Sequence, residues 1–326
     1  MIKYSPWSNP RDPQVFFEID SYNKLLESLG WSDHREWLNL WLNRGGLELA
    51  SSNWPLETKS DWIWGLGLPF LSDIERYIFN KKTRTLLGIS GLPGCGKTSF
   101  GKWIEAASFE LNWPVKVISM DDFYLPYPEL QQAMLGNPWG APRALPGSHA
   151  IKLMEETIET WESTGNLKAP QFDKALRGGN GDRSGWHFSK PKILVIEGWF
   201  LGCSLSSDLN NSGNIVLEYK QSITPAEKEY KVIVQKALRP YQPIWEKFER
   251  IWHIKSIDFS SMKKWKIQQE MNLQRDRGAS LQAESLELFL RMIEIAIPQA
   301  DLQSIKSDVL VKLNTSREIK WVGPSK

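Results

Sequence analysis

Residues 85–99 read TLLGISGLPGCGKTS, and this stretch decides the fold. Thr85–Ser90 is a short, almost continuous apolar run, the mark of a strand buried on both faces. Gly91-Leu92-Pro93-Gly94-Cys95-Gly96-Lys97-Thr98 then fits G-x-x-x-x-G-K-[ST]. Four such fixed positions arise by chance in about 1% of chains this long. A strand before and a helix after remove most of that risk. The glycines let main-chain N–H groups surround phosphate oxygens. The helix opening at Lys97-Thr98-Ser99 turns its positive end toward the same anion. Lys97 is expected on the β- and γ-phosphates and the Thr98 hydroxyl on Mg2+, so the expected ligands are ATP and Mg2+. Cys95 stands at a variable position of the loop, where a small residue is tolerated. Redox control through its thiol is the sharper alternative.

Outward from the loop, the helix is expected over Lys97–Asn112. Phe100, Trp103, Ile104, Ala107 and Leu111 share one face, and Trp113-Pro114 ends it. Val115–Ser119, Ile193–Ile196 and Asn214–Tyr219 read as further apolar strands, and Ser148 and Gly165 bracket another helix. Alternating short strands and amphipathic helices predict an α/β, P-loop NTPase-type, doubly wound parallel sheet. Upstream, apolar residues from Val15 to Leu29 recur at helical spacing, with Gly30 as a stop. A second helix follows Ser32, a good N-cap residue, and GLGLP at 65–69 reads as a boundary. The expected organisation is a helical N-terminal subdomain over 1–80 and a kinase domain over 81–326. The latter would carry a substrate loop at about 140–190 and a lid at about 255–285.

The bulk numbers bound the partners. The 326 residues are 41% hydrophobic and 24% charged, as expected for a chain with a substantial core. The 17 Trp are expected mainly in packing. A net charge of +2 does not suit nucleic acid as a main partner. No run of about 18 apolar residues suggests a membrane span. The two cysteines, Cys95 and Cys203, have neither zinc-ligand nor disulfide-framework spacing. The N-terminus MIKYSPWSNPRDP lacks signal-peptide and transit-peptide character, so the expected compartment is the cytoplasm.

Two acids decide between kinds of P-loop protein. Strand VKVIS runs into Met120-Asp121-Asp122-Phe123-Tyr124. A carboxylate at the end of a neighbouring parallel strand faces the γ-phosphate crevice and can take the proton of an attacking hydroxyl. Either Asp121 or Asp122 fits that role; a turn or N-cap Asp would look the same. ILVIEGW puts Glu197 at another strand end, where it can help hold Mg2+. A guanine-reading motif is present only as Thr58–Asp61, before the loop, and a Walker-B strand ending in Asp is not evident. A small-molecule kinase is the better reading; an ATP-binding protein without an acceptor is the rival.

Gly91–Thr98, S-x-D-D-F-Y and I-E-G together resemble the phosphoribulokinase/uridine kinase/pantothenate kinase group of P-loop kinases. Pro146–His149, Pro170–Lys174, Arg177–Arg183, Glu197–Gly202, Tyr241–Trp245 and Trp265–Glu270 sharpen this to a resemblance to D-glycerate 3-kinases of plants and cyanobacteria. It extends over roughly 85–315, and the long Trp-rich N-terminal region fits the cyanobacterial form. The resemblance implies transfer of the ATP γ-phosphate to the 3-hydroxyl of D-glycerate, a step of photorespiratory salvage. It implies Asp121 as the base, with Asp122 as support, and Glu197 at the magnesium site. A small carboxylate also needs a fixed cation. Lys168, Lys174, Arg177 and Arg183 lie in a Gly-rich stretch with Arg143 upstream, and any of them could serve. His149 could touch substrate hydroxyls or cap a helix. Arg275 and Arg277 would suit a lid that brings charge to the phosphates, or a solvent-facing helix end.

Overall fold

The computed structural model describes residues 18–46, 48–49, 60–80, 83–204, 222–277 and 282–325. Its main sheet has the strand order β2-β5-β1-β6-β7-β8. These are β1 Thr85–Gly91, β2 Val115–Ser119, β5 Ile193–Gly198, β6 Arg250–Ser256, β7 Val309–Leu313 and β8 Ile319–Pro324. All adjacent pairs are parallel except β7 with β8, which is antiparallel. The expected wholly parallel sheet is thus corrected at one edge. A short return connection through Asn314–Glu318 allows only an antiparallel neighbour. The expected strand at Asn214–Tyr219 lies outside the described residues.

Side-chain alternation splits the core into two layers. Leu86, Leu194 and Ile196 face one apolar cluster with Met154, Ile158, Phe200 and Ile293. Leu87, Ile89, Ile193 and Val195 face the other, with Phe100, Trp103, Ile104 and the N-terminal residues Trp37, Trp41, Trp64 and Phe70. Burial on both faces is why β1 and β5 are apolar throughout. The tryptophans do pack: Trp37, Trp41, Trp64, Trp103, Trp161, Trp252 and Trp265 are all fully buried.

Helices Ile19–Ser28 and His34–Asn43 lie close to their expected places. Gly30 has a left-handed φ of 94°, which a Cβ would strain. The cap of the second is Asp33, which accepts from Arg35 N, and not Ser32. Residues 65–69 are no break. A π-helical turn, Ile63–Gly67, runs directly into helix Leu68–Asn80. Helix Lys97–Glu110 follows the loop, and Ile151–Thr164 ends on left-handed Gly165. Ser148 does not cap that helix, because its hydroxyl donates to Leu145 O at 2.6 Å. Within the expected substrate loop stands an antiparallel hairpin, β3 Leu167–Asp173 and β4 Asp182–Ser189.

One buried ion cluster ties the N-terminal helices to the sheet. Asp73, fully buried, accepts from Trp252 Nε1 at 2.8 Å and Arg76 at 2.9 Å, and Arg250 Nε lies 3.2 Å away. Removing the acid leaves two cations without their counter-charge in a dry interior. Asp73→Ala should cost about 3–5 kcal/mol in urea unfolding. A loss under about 1 kcal/mol would mean that solvent reaches the cluster.

Candidate functional site

Three neighbouring strands end at one level. Ser119 of β2 is in register with Glu197 of β5, and Glu197 with Ile89 of β1. Beyond those ends lie the turn Met120–Phe123, the Glu197 carboxylate and the loop Gly91–Thr98. The chain thus brings Asp121, Glu197 and the phosphate loop to one crevice.

The loop is shaped by glycine and held from outside. Gly94 and Gly96 have φ of 77° and 110°, which residues with a Cβ rarely adopt. At Gly91 a Cβ would sit 2.6 Å from the Ile254 carbonyl. Arg317, in the turn between β7 and β8, donates to Gly94 O at 2.8 Å and to Trp265 O at 3.3 Å. Trp62 Nε1 in turn donates to Arg317 O at 2.6 Å. Lys97 Nζ donates to Leu92 O at 3.2 Å, a carbonyl that phosphate oxygens can replace. The Thr98 hydroxyl donates to Glu197 Oε1 at 2.8 Å. This is a pair of hard oxygen donors, the set that suits Mg2+ together with phosphate oxygens and water. Among the described residues no cluster of three or more acidic, His or Cys side chains could hold a metal alone. The Cys95 thiol is buried and burial pushes it above its ordinary value, the reverse of a reactive thiolate.

The two acids after β2 divide the work. Asp121 accepts from Tyr124 Oη at 2.8 Å and from Lys174 Nζ at 2.6 Å. Burial pushes its carboxyl up, but Lys174, His149 and the Tyr124 hydroxyl outweigh that and hold it well below the carboxylate range. Lys174 is about half exposed, so this pair is easily broken. Asp122 points elsewhere. It accepts from its own turn at Ser119 N, 3.2 Å, and from Phe172 N of the hairpin, 3.3 Å. Burial first, then repulsion by Asp121, raises it to about 6 against those two hydrogen bonds. Asp122 is a pin between turn and hairpin, and Asp121 is the acid left facing the crevice.

The basic residues of the Gly-rich stretch scatter. Lys174 alone of them sits on Asp121. Arg143 donates to Gly179 O and Asn180 O at 2.7 and 2.9 Å, holding the hairpin tip. Arg177 pairs with Asp182 at 2.9 Å and covers the Tyr127 ring at 5.5 Å, away from Asp121. Arg183 donates to Tyr124 O at 3.3 Å, and its Nε is buried without a partner. Lys168 lies over the Trp186 ring at 4.6 Å on the hairpin. On helix Ser261–Arg277, Arg275 is exposed; the Arg277 side chain lies outside the described residues.

His149 is buried, stacked on Tyr124 at 4.4 Å, with Nδ1 2.8 Å from Tyr241 Oη. Gly147 N already donates to that phenol oxygen at 3.1 Å. Burial, with some help from Lys174, lowers the ring to about 4 despite Asp121, so it is neutral at ordinary pH. Nε2 is buried with no hydrogen-bond partner, and the ring feels the charge of Asp121. Sequence reasoning found His149 but missed Tyr241 and Arg317. Tyr241 stands in the Tyr241–Trp245 stretch, but nothing local ties it to His149, and nothing local ties Arg317 to Gly94, because both contacts join residues distant in sequence.

No family model matches the chain. It is 29% identical over 219 residues to the chloroplastic D-glycerate 3-kinase of Arabidopsis thaliana, covering 63% of this chain and 45% of that protein. It is 28% identical over 196 residues to a Schizosaccharomyces pombe protein named as the uncharacterized kinase mug58, covering 57% of this chain and 69% of that one. The chain thus spans about half the length of the plant relative. The solved D-glycerate 3-kinase of Cryptococcus neoformans superposes with a TM-score of 0.66 at 22% identity, covering 78% of this chain and 96% of that one. The fold is that of the P-loop kinases. No described helix is long and apolar enough to cross a membrane.

The Asp122 pin makes a pH prediction. A carboxyl held above its ordinary value binds protons more tightly when folded, so acidification through this group favours the folded state. Below about pH 6 the carboxyl loses its charge and so accepts more weakly from Ser119 N and Phe172 N, which loosens the tie between the Asp121 turn and the hairpin. Turnover should therefore show an acid limb near pH 6 that Asp122→Asn removes. A variant that keeps the same limb assigns it to another group.

Proposed function

We propose that this chain transfers the γ-phosphate of ATP to the 3-hydroxyl of D-glycerate, giving 3-phosphoglycerate and ADP. One observation carries the reading: the Asp121 carboxylate stands across β5 from the phosphate loop with a cation, Lys174, resting on it. The sequence similarity to the plant D-glycerate 3-kinase supports the choice of acceptor.

In this reading Lys97 exchanges the Leu92 carbonyl for phosphate oxygens. Thr98 and Glu197 are the residues that would hold a magnesium ion, which would supply charge neutralisation at the phosphates. The acceptor's carboxylate draws Lys174 off Asp121. Losing that cation raises the basicity of Asp121 at the moment a hydroxyl arrives. Asp121 takes the hydroxyl proton, the oxygen bonds to phosphorus, and ADP leaves. Tyr124 keeps the carboxylate oriented by its hydrogen bond, and His149 Nε2, which has no partner within the protein, is available to an acceptor hydroxyl. Catalysis rests on positioning and charge neutralisation.

ATP consumption with glycerate, uridine and pantothenate as acceptors tests the substrate. Glycerate should give turnover; failure with glycerate and success with another acceptor would overturn the reading. Asp121→Asn should keep its ATP affinity and lose about 100- to 10000-fold in turnover, the scale of a lost general base. A variant with most of its activity intact would move that role to another group.

A further inference from the structure

Helix Ser261–Arg277 is seated on the phosphate loop by its first two turns. A Cβ at Gly94 would meet the Trp265 carbonyl carbon and Cβ at 2.9 Å and Lys266 N at 3.1 Å. Trp265, fully buried, donates from Nε1 to Thr315 O at 2.9 Å. The next residue, Lys266, therefore has a fixed origin beside the loop. Its ammonium lies 2.6 Å from Glu270 Oε1 and 5.0 Å from the Phe289 ring centroid. The two side chains are only 12% and 8% exposed.

Stability does not account for this pair. Burying two charges costs at least as much as their attraction returns. Lysine preceding glutamate by four residues is also the weaker order along a helix. Two further cations add to the cost. Burial lowers the Lys266 ammonium and Glu270 raises it again, while the charges of Lys174 and Arg143 both lower it. Lys174, at the end of β3, and Arg143, in the segment before His149, both act on Lys266 through their charge. Of these, Lys174 neutralises Asp121 and Arg143 holds the hairpin tip.

We infer that Lys266 is a binding residue for the acceptor's carboxylate, reaching it from the helix that buttresses the phosphate loop. Glu270 holds the ammonium in place until the anion arrives and takes over part of its charge. The inference rests on the glycerate reading above and adds a residue to it. It also links the two substrates, since the same helix turn touches the nucleotide loop at Gly94.

The test compares glycerate with its neutral amide, with wild-type turnover of glycerate measured first. Lys266→Met should raise the KM for glycerate about 10- to 100-fold, the scale of one lost charge-assisted hydrogen bond. It should leave the KM for ATP and for the amide unchanged, and Lys266→Arg should keep most of the preference for the acid. Lys266→Met/Glu270→Met removes both charges, so no orphan is buried, and should show the same loss of discrimination. An unchanged KM for glycerate, an equal loss with both acceptors, or a raised KM for ATP overturns the assignment. A wild-type protein that ignores glycerate instead sinks the reading on which it stands.

Discussion

The structure depends on the parallel pairing of β2, β5 and β1. Main-chain hydrogen bonds put Ser119, Glu197 and Ile89 side by side, so three functional segments leave the sheet at one level. No side-chain rotamer sets that alignment. The loop that wraps phosphates, the oxygen pair suited to magnesium and the acid that faces both are placed by backbone register. Catalytic groups in open α/β sheets gather outside the carboxyl ends of the strands for this reason.

Around that frame the protein spends buried polar groups freely. Arg317 and Trp62 clamp the loop at Gly94 from the C-terminal hairpin and the N-terminal region. Asp122 ties the catalytic turn to the hairpin that carries Lys174. His149 is kept neutral by burial and oriented by Tyr241. Each link joins elements distant in sequence, so the Gly-rich loop, the turn with Asp121 and the hairpin before Lys174 are tied to one another. The exposed Lys174–Asp121 pair is the weak link in it, which suits a contact that must open on every turnover.

Much of this was legible in the sequence, for particular reasons. The loop, β1 and β5 could be read because strands buried on both faces are apolar runs between turn residues, and β2 because its short apolar run follows Trp113-Pro114. Asp121 and Glu197 could be placed because they follow such runs directly. β6 was not legible: RIWHIKS interleaves the buried His253 and the partly exposed Lys255 with its apolar residues, which breaks the apolar run. The hairpin β3–β4 carries Pro170 and Gly185 and leaves Trp186 and Phe188 at the surface, so it read as a loop. The division between Asp121 and Asp122 depended on Phe172 N and Lys174, whose positions no local pattern reveals. The same holds for the arginines. Arg177 and Arg183 are close in sequence but turn to Asp182 and Tyr124 respectively, and Arg143, further upstream, turns to the hairpin tip.

The central claim is that this crevice passes a phosphoryl group to an alcohol and does not simply hydrolyse ATP. A single-turnover reaction with ATP labelled in its γ-phosphate, in the presence of magnesium and D-glycerate, tests it directly. The account predicts that the label appears in 3-phosphoglycerate. Label found only in inorganic phosphate, at a rate indifferent to glycerate, would contradict it.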